Sequence, residues 1–341
     1  MNESNDSKIT CIIADENMGW VVKVAKKMGI LVALFWPASV GLRALILHIP
    51  QLIETGVLDT NGVPVKKQII QLSPTVISMS TDHFVWSCIG DKDAQLSMFR
   101  YINSNNDASK DADWWLCNSF HELEAPAYLL NPNLLSVGPL LAESQLTGNF
   151  WTEDINCLNW LDQQPAKSVV YVAFGSFTVF DKQQFHELAL GLENAGQPFL
   201  WVVRPDLTEG STPSYPHGFQ ERVAHKGRMV GWAPQQKVLD HPSIACFVTH
   251  CGWNSTLEGI TAGFLNQSYI CDVWQVGLQL NKNDGGIITK DEIKHKVSAL
   301  LADETIRAKT SDLREIANKS ISEGGSSMKN LNDFIESVGA R

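Results

Sequence analysis

The sequence predicts an α/β protein of two domains, on three observations. Short β-rich runs alternate with helical patterns from Ser168 to Ala262, as in a parallel sheet covered by helices on both faces. Near the N-terminus a β-rich run from Lys8 to Ala14 ends in Asp15, and a helical pattern follows to Met28 with Gly29 at its end, which is a strand, a turn and a glycine-capped helix. The length of 341 residues suits two domains of roughly 100–200 residues each.

Taken in order, Asp15 stands at the carboxyl end of the first strand, where open α/β sheets bind ligands. Ile30 to Phe35 is the next strand, ended by Trp36 and Pro37, and Ser39 caps a helix from Val40 to about Glu54. Val57 to His83 is turn-rich and without clear periodicity, so it is expected to be a loop that lines a pocket. Helical patterns follow to about Ala112, and Trp114 to Asn118 and Leu134 to Val137 are short strands. Gly138-Pro139, Gly148 and Pro165 mark a boundary stretch that holds one short helix near Ile155 to Trp160. The domain limits are therefore set at 1–145 and 146–325, with a helical piece at 326–341.

The second domain then runs through strand Ser168 to Gly175, helix Asp181 to Ala195, strand Pro198 to Val203 and a helix near Gly218 to Ala224. Strand Arg228 to Trp232, helix Gln235 to His241, strand Ile244 to Thr249 and helix Trp253 to Ala262 complete it, and the tail from Lys290 is helical throughout.

Composition excludes several classes. The net charge of −10 and the lack of a Lys/Arg run argue against a nucleic-acid surface. The seven Cys are odd in number, scattered and without a C-x-x-C pair, so they are expected to be reduced thiols of a cytoplasmic protein. The polar start MNESNDSK has no apolar secretory core, and the run around Ile30 to Phe35 is too short to span a bilayer. A metal site from His241, Cys246, His250 and Cys251 fits no zinc spacing, so no metal and no cofactor are expected.

The stretch from Trp232 to Glu258 carries the chemistry. A strand leads into His250, Cys251 and Gly252 and then into a helix start at Trp253, Asn254 and Ser255. Free N–H groups and the dipole at such a helix start suit a phosphate, and His250, Asn254 and Ser255 add side-chain donors. Glu258 follows Asn254 by one helical turn, where a carboxylate can accept from sugar hydroxyls. Upstream, Trp232 offers a flat face to a base and Gln235 an amide to its edge. Trp232 alone would be read as a core residue. With Gln235, His250 and Glu258 at these spacings, the group describes a nucleotide clamp.

The chain resembles the plant secondary-product UDP-glycosyltransferases of family 1. The resemblance rests on W-A-P-Q at Trp232 to Gln235 and H-C-G-W-N-S at His250 to Ser255, supported by CIIAD, FWPAS, ADWWLCNSF, SVVYVAFGS and PFLWVVRP. It implies the GT-B fold of two facing Rossmann-like domains, the second binding UDP-sugar and the final helix returning to the first. It also implies that Trp232 stacks on uracil with Ala233 beside it, and that Gln235 and Glu258 hold the uracil and ribose hydroxyls. Ser176, His250, Gly252, Asn254 and Ser255 then bind the diphosphate. The reaction implied is metal-independent, inverting transfer of a sugar, usually glucose, from the UDP-sugar to a hydroxyl of a small apolar acceptor such as a phenolic or terpenoid, by a monomer.

Two departures from the family pattern bear on activity. The family base is a His in a first strand-to-helix turn, partnered by a carboxylate matching Asp15. The chain starts almost at the Asp-bearing strand, so the first domain is expected to be truncated and Asp15 to lack its His. Within the box, Gly263 leads directly into Phe264 to Gln267 and a helical pattern to Trp274. The second domain is therefore expected to lack one strand, and with it an acidic-Gln pair that holds the sugar. Little or no transfer is expected of this chain, and the alternatives are a non-catalytic UDP-binding remnant or an incomplete product of a glycosyltransferase gene.

Overall fold

The computed structural model describes residues 9–76, 78–88, 90–140, 151–209, 214–259 and 269–339. The chain divides into two compact units, Met1–Leu140 with Arg314–Arg341, and Leu141–Leu313. The boundary expected at 145 lies outside the described residues.

In the first unit a parallel sheet of order β1-β2-β5-β6 is formed by β1 (Cys11–Asp15), β2 (Leu31–Trp36), β5 (Trp114–Cys117) and β6 (Leu134–Ser136). After β1 the chain makes a single 3-10 turn at Glu16–Met18 and then α1 (Trp20–Lys27), where the sequence predicts one continuous helix. Gly29, at φ +67, ends it as expected. Ala14, Val22, Ala25, Val32 and Leu34 form the core between β1, β2 and α1. On the other face Ala33, Leu116 and Val137 pack against Phe334.

Ser39 caps α2 (Val40–Leu47) by accepting from the Leu42 N–H. The single helix expected to Glu54 is two, because α3 (Ile49–Glu54) restarts with Pro50 in its first turn, where the missing N–H is tolerated but would break a helix interior. The stretch expected to be a loop at 57–83 includes a two-stranded antiparallel ribbon, β3 (Ile69–Ile70) and β4 (Met79–Ser80). α4 (Lys92–Ala108) follows, capped by Asp91. A further helix that periodicity did not reveal, α5 (His121–Tyr128), contains Pro126 and a non-helical Glu124.

In the second unit α6 (Asn156–Leu161) precedes a parallel sheet of order β10-β7-β8-β9. Its strands are β7 (Val169–Ala173), β8 (Phe199–Val202), β9 (Gly227–Val230) and β10 (Ile244–Thr249). The period of two sorts their side chains. Val170, Val172, Phe199 and Trp201 join α7 (Lys182–Ala195) in one core, while Val169, Tyr171, Ala173, Leu200 and Val202 join α6 in another. Asp181 and Gly196 cap α7 at its two ends. The remaining helices are α8 (Phe219–Val223), α9 (Gln235–Leu239) and α10 (Trp253–Gly259).

Residues 260–268 lie outside the described residues, and with them the place of the strand expected to be lacking. Tyr269–Val273 forms a single π turn. Three helices close the chain, α11 (Lys290–Ala302), α12 (Glu304–Ile321) and α13 (Ser326–Gly339). α13 belongs to the first unit, where Asn330 Nδ2 donates to the Ser136 carbonyl at 2.9 Å and Phe334 meets Trp114 edge-on. No described helix is long and apolar enough to cross a membrane.

Candidate functional site

The second unit gathers its polar side chains at the carboxyl ends of β7, β8 and β10, the edge where parallel sheets bind ligands. Gln235, the first residue of α9, makes the central contacts. Its Nε2 donates to Glu258 Oε2 at 2.6 Å and to Ser255 Oγ at 3.1 Å, and its Oε1 accepts from the Tyr171 hydroxyl at 3.2 Å. Glu258 and Ser255 lie three residues apart on α10 and so share a helical face. Burial pushes the Glu258 carboxyl up from its ordinary range, against the opposing effect of the Gln235 amide. Tyr171 is buried and stacked on Phe247 at 4.9 Å, which fixes the ring that carries its hydroxyl. Trp232 is half-buried against the α6 core, its carbonyl accepting from the Asp154 N–H, and Ala233 is buried beside it.

His250 occupies a seat made by two glycines. A Cβ on Gly175 would stand 2.6 Å from His250 Cε1, and one on Gly252 would stand 2.6 Å from Nε2. Gly175 also has φ +64, a left-handed conformation that other residues adopt at a penalty of about 1–2 kcal/mol. Cys251 accepts that strain at φ 65, its N–H held by Thr249 Oγ1 at 3.1 Å. Burial and then the nearby Arg204 charge lower the His250 pKa, so the imidazole is neutral at pH 7. Ser176 and Asn254 are exposed, one in the turn after β7 and the other in the first turn of α10.

Asp15 belongs to the first unit and the group above to the second. Its Oδ1 accepts from the Asn17 backbone N–H and from Asn17 Nδ2, both at 2.9 Å, so it caps the 3-10 turn. Among the described residues no histidine hydrogen-bonds to it, and no group of three or more His, Cys, Asp or Glu is placed to hold a metal ion.

Two residues of this neighbourhood escaped the sequence reading. Tyr171 looks like one more apolar-strand residue in SVVYVAFGS, and Arg204 like a surface cation in WVVRP. A buried charge acquires a role only through its partners, and only the fold supplies them.

The family model for UDP-glucoronosyl and UDP-glucosyl transferases matches residues 65–265. UDP-glycosyltransferase 83A1 of Arabidopsis thaliana is 40% identical, covering 97% of this chain and 73% of that protein. The chain belongs to the plant UDP-glycosyltransferase family. Linamarin synthase 1 of Manihot esculenta is 33% identical over 97% of this chain and 74% of its own length. Among solved structures, Phytolacca americana UGT2 complexed with UDP-2fluoro-glucose and pterostilbene has a TM-score of 0.84 at 29% identity, covering 98% of this chain and 77% of that one. A UDP-glucosyltransferase from Polygonum tinctorium capable of glucosylating indoxyl has a TM-score of 0.84 at 30% identity, covering 99% and 77%. The UDP-glycosyltransferase fold here is GT-B, with one Rossmann-like parallel sheet in each unit.

Proposed function

We propose that the second unit of this UDP-glycosyltransferase binds a UDP-sugar, with glucose as the sugar, and that this chain transfers it poorly to an acceptor. The observation that carries the reading is the bonded group of Gln235, Glu258 and Ser255, formed between the first residue of α9 and one face of α10. Trp232 stacks on the uracil, with Ala233 lining its edge. Gln235 and Glu258 take the uracil and ribose hydroxyls, since an amide and a carboxylate together present donors and acceptors to such groups. Ser176, His250, Gly252, Asn254 and Ser255 receive the diphosphate. A neutral His250 donates one N–H to the leaving UDP without bringing a proton of its own to the reaction.

Transfer follows the family reaction. A hydroxyl of a small apolar acceptor, phenolic or terpenoid, attacks the anomeric carbon with inversion, the bond to UDP breaks, and a base takes the hydroxyl proton. The reading uses no metal and no cofactor, and places the protein in the cytoplasm as a monomer. Asp15 would orient and charge-stabilise such a base, but its observed partner is Asn17, which cannot accept a proton in that role. That contact favours a second reading, a UDP-binding chain without turnover.

UDP-glucose with a broad phenolic and terpenoid panel tests both. The proposal expects UDP binding with glucoside formation at least a hundredfold slower than that of a family member with a paired His and Asp, in line with the weight of general-base catalysis. Turnover at ordinary rates of about 1–10 per second would overturn the impairment. Failure to bind UDP would overturn the site.

A further inference from the structure

Among the described residues Arg204 is the most buried cation of the second unit, with its side chain 1% exposed two residues past the end of β8. Its Nη1 donates to the Gly175 carbonyl at 2.6 Å and its Nη2 to the Thr178 carbonyl at 2.7 Å. Those carbonyls bracket the turn that carries Ser176 and the exposed Phe177. The guanidinium fork therefore spans one loop at two points, a geometry that a lysine ammonium cannot reproduce.

The charge of this side chain is incompletely answered. Asp206 Oδ1 stands 3.2 Å from Nε, close enough for an ion pair, yet among the described residues Nε makes no aligned hydrogen bond, and Asp206 is more than half exposed. A buried guanidinium normally demands full pairing. Its remaining field is felt at His250, whose ring sits against Gly175. Elsewhere the proposed clamp is built from neutral donors and a carboxylate, and the protein carries a net charge of −10. Arg204 is thus placed to supply a fixed positive potential behind a loop expected to meet a diphosphate.

We propose that Arg204 is a positioning residue of the UDP clamp, pinning the Gly175–Thr178 turn so that Ser176 and the glycine seat of His250 face a diphosphate, and holding positive charge behind them. The inference rests on the reading of this unit as a UDP site. It separates from that reading because Arg204 acts on the diphosphate half of the ligand and leaves the uridine half, held at Gln235 and Glu258, untouched.

Calorimetric titration with UDP and with uridine tests it, using the full chain and the variants Arg204→Lys, Arg204→Gln and Asp206→Asn. Arg204→Lys keeps the charge and loses the fork, whereas Arg204→Gln loses the charge. Both are expected to weaken UDP by at least about tenfold, the scale of a lost charge-assisted hydrogen bond, with uridine affinity within about twofold of wild type. Asp206→Asn, a change on the surface, is expected to tighten UDP about two- to threefold and leave uridine unchanged. Equal weakening of UDP and uridine in the Arg204 variants would mean a general structural role and overturn the proposal. Should those variants fail to unfold cooperatively, Asp206→Asn decides, and an unchanged ratio of UDP to uridine affinity overturns it. A wild type that binds neither ligand would overturn the site itself.

Discussion

The central strand of the second sheet and the edge strand of the first are made of similar residues and end in different surroundings. β7, Val-Val-Tyr-Val-Ala, lies between β10 and β8, and all five residues are buried. β1, Cys-Ile-Ile-Ala-Asp, pairs with β2 alone among the described residues, and Ile13 is 59% exposed. Trp20, Val24 and Met28, spaced by four along α1 and just past its end, form an exposed apolar stripe nearby. In the second sheet β7 is flanked on both sides, whereas among the described residues the strand that ends in Asp15 has one neighbour. Binding and transfer are thereby expected to have separate fates in this molecule: the first depends on the second unit, which holds Gln235 and Glu258, and the second on the first unit, which holds Asp15.

The largest expected effect that probes the contrast is in the first unit. Glu124 is fully buried, and its carboxylate accepts from the N–H groups of Val40 and Gly41 and from Ser119 Oγ, capping α2 from 84 residues away. Burial, outweighing those bonds, pushes its pKa up from 4.5 to about 7. A carboxyl with a raised folded pKa holds its proton longer in the folded state. Its stabilisation is fully present below the unfolded pKa of 4.5 and is lost as pH rises to 7, about 3 kcal/mol in all. Thermal melts of wild type and Glu124→Gln across that window check this, and the variant should flatten the pH dependence.

Next comes the glycine seat. Gly175→Ala adds a Cβ against His250 at a positive φ, which is expected to lower stability by about 1–2 kcal/mol and UDP affinity at least tenfold. Titration calorimetry and a denaturant melt read the two effects. A variant that binds UDP as well as wild type would detach His250 from the ligand.

Asp15→Asn is expected to change residual glucoside formation by less than about twofold, because a carboxylate whose partner among the described residues is Asn17 has little proton-transfer work to lose. Rate assays that found a loss of tenfold or more would put Asp15 back in the chemistry. The smallest effect belongs to the open edge. Ile13→Lys should leave stability within about 0.5 kcal/mol and UDP affinity unchanged, while raising the protein concentration at which light scattering first detects association.

The sequence revealed the second unit better than the first, for reasons visible in particular residues. Val169 to Ala173 and Phe199 to Val202 are apolar at every position because both faces are covered, and such runs are easily distinguished from their helical neighbours. The spacing of Trp232, Gln235, His250 and Glu258 brought three of the site's elements into view. The rest depended on contacts distant in sequence. Tyr171 reaches Gln235 across 64 residues and Arg204 reaches Gly175 across 29, and neither has a local signal. α5 was hidden by Pro126 and by the non-helical backbone at Glu124, whose departure from helical geometry accompanies its reach to cap α2. The break between α2 and α3 is legible in Pro50, which lacks the N–H that an uninterrupted helix needs, although the apolar pattern runs through it.

Thermal unfolding with and without millimolar UDP, in wild type and Glu258→Ala, tests the central claim most directly. Ligand that binds only the folded state adds about 2.7 kcal/mol at a hundredfold excess over Kd, which raises the midpoint by roughly 5–10 °C for a unit of this size. The account predicts that rise in wild type and most of it lost in Glu258→Ala, with the ligand-free midpoint little changed, because removing a half-buried carboxylate also relieves its burial. A midpoint indifferent to UDP in wild type, or a rise that survives in Glu258→Ala, would contradict the claim that the second unit holds UDP through the Gln235–Glu258 group.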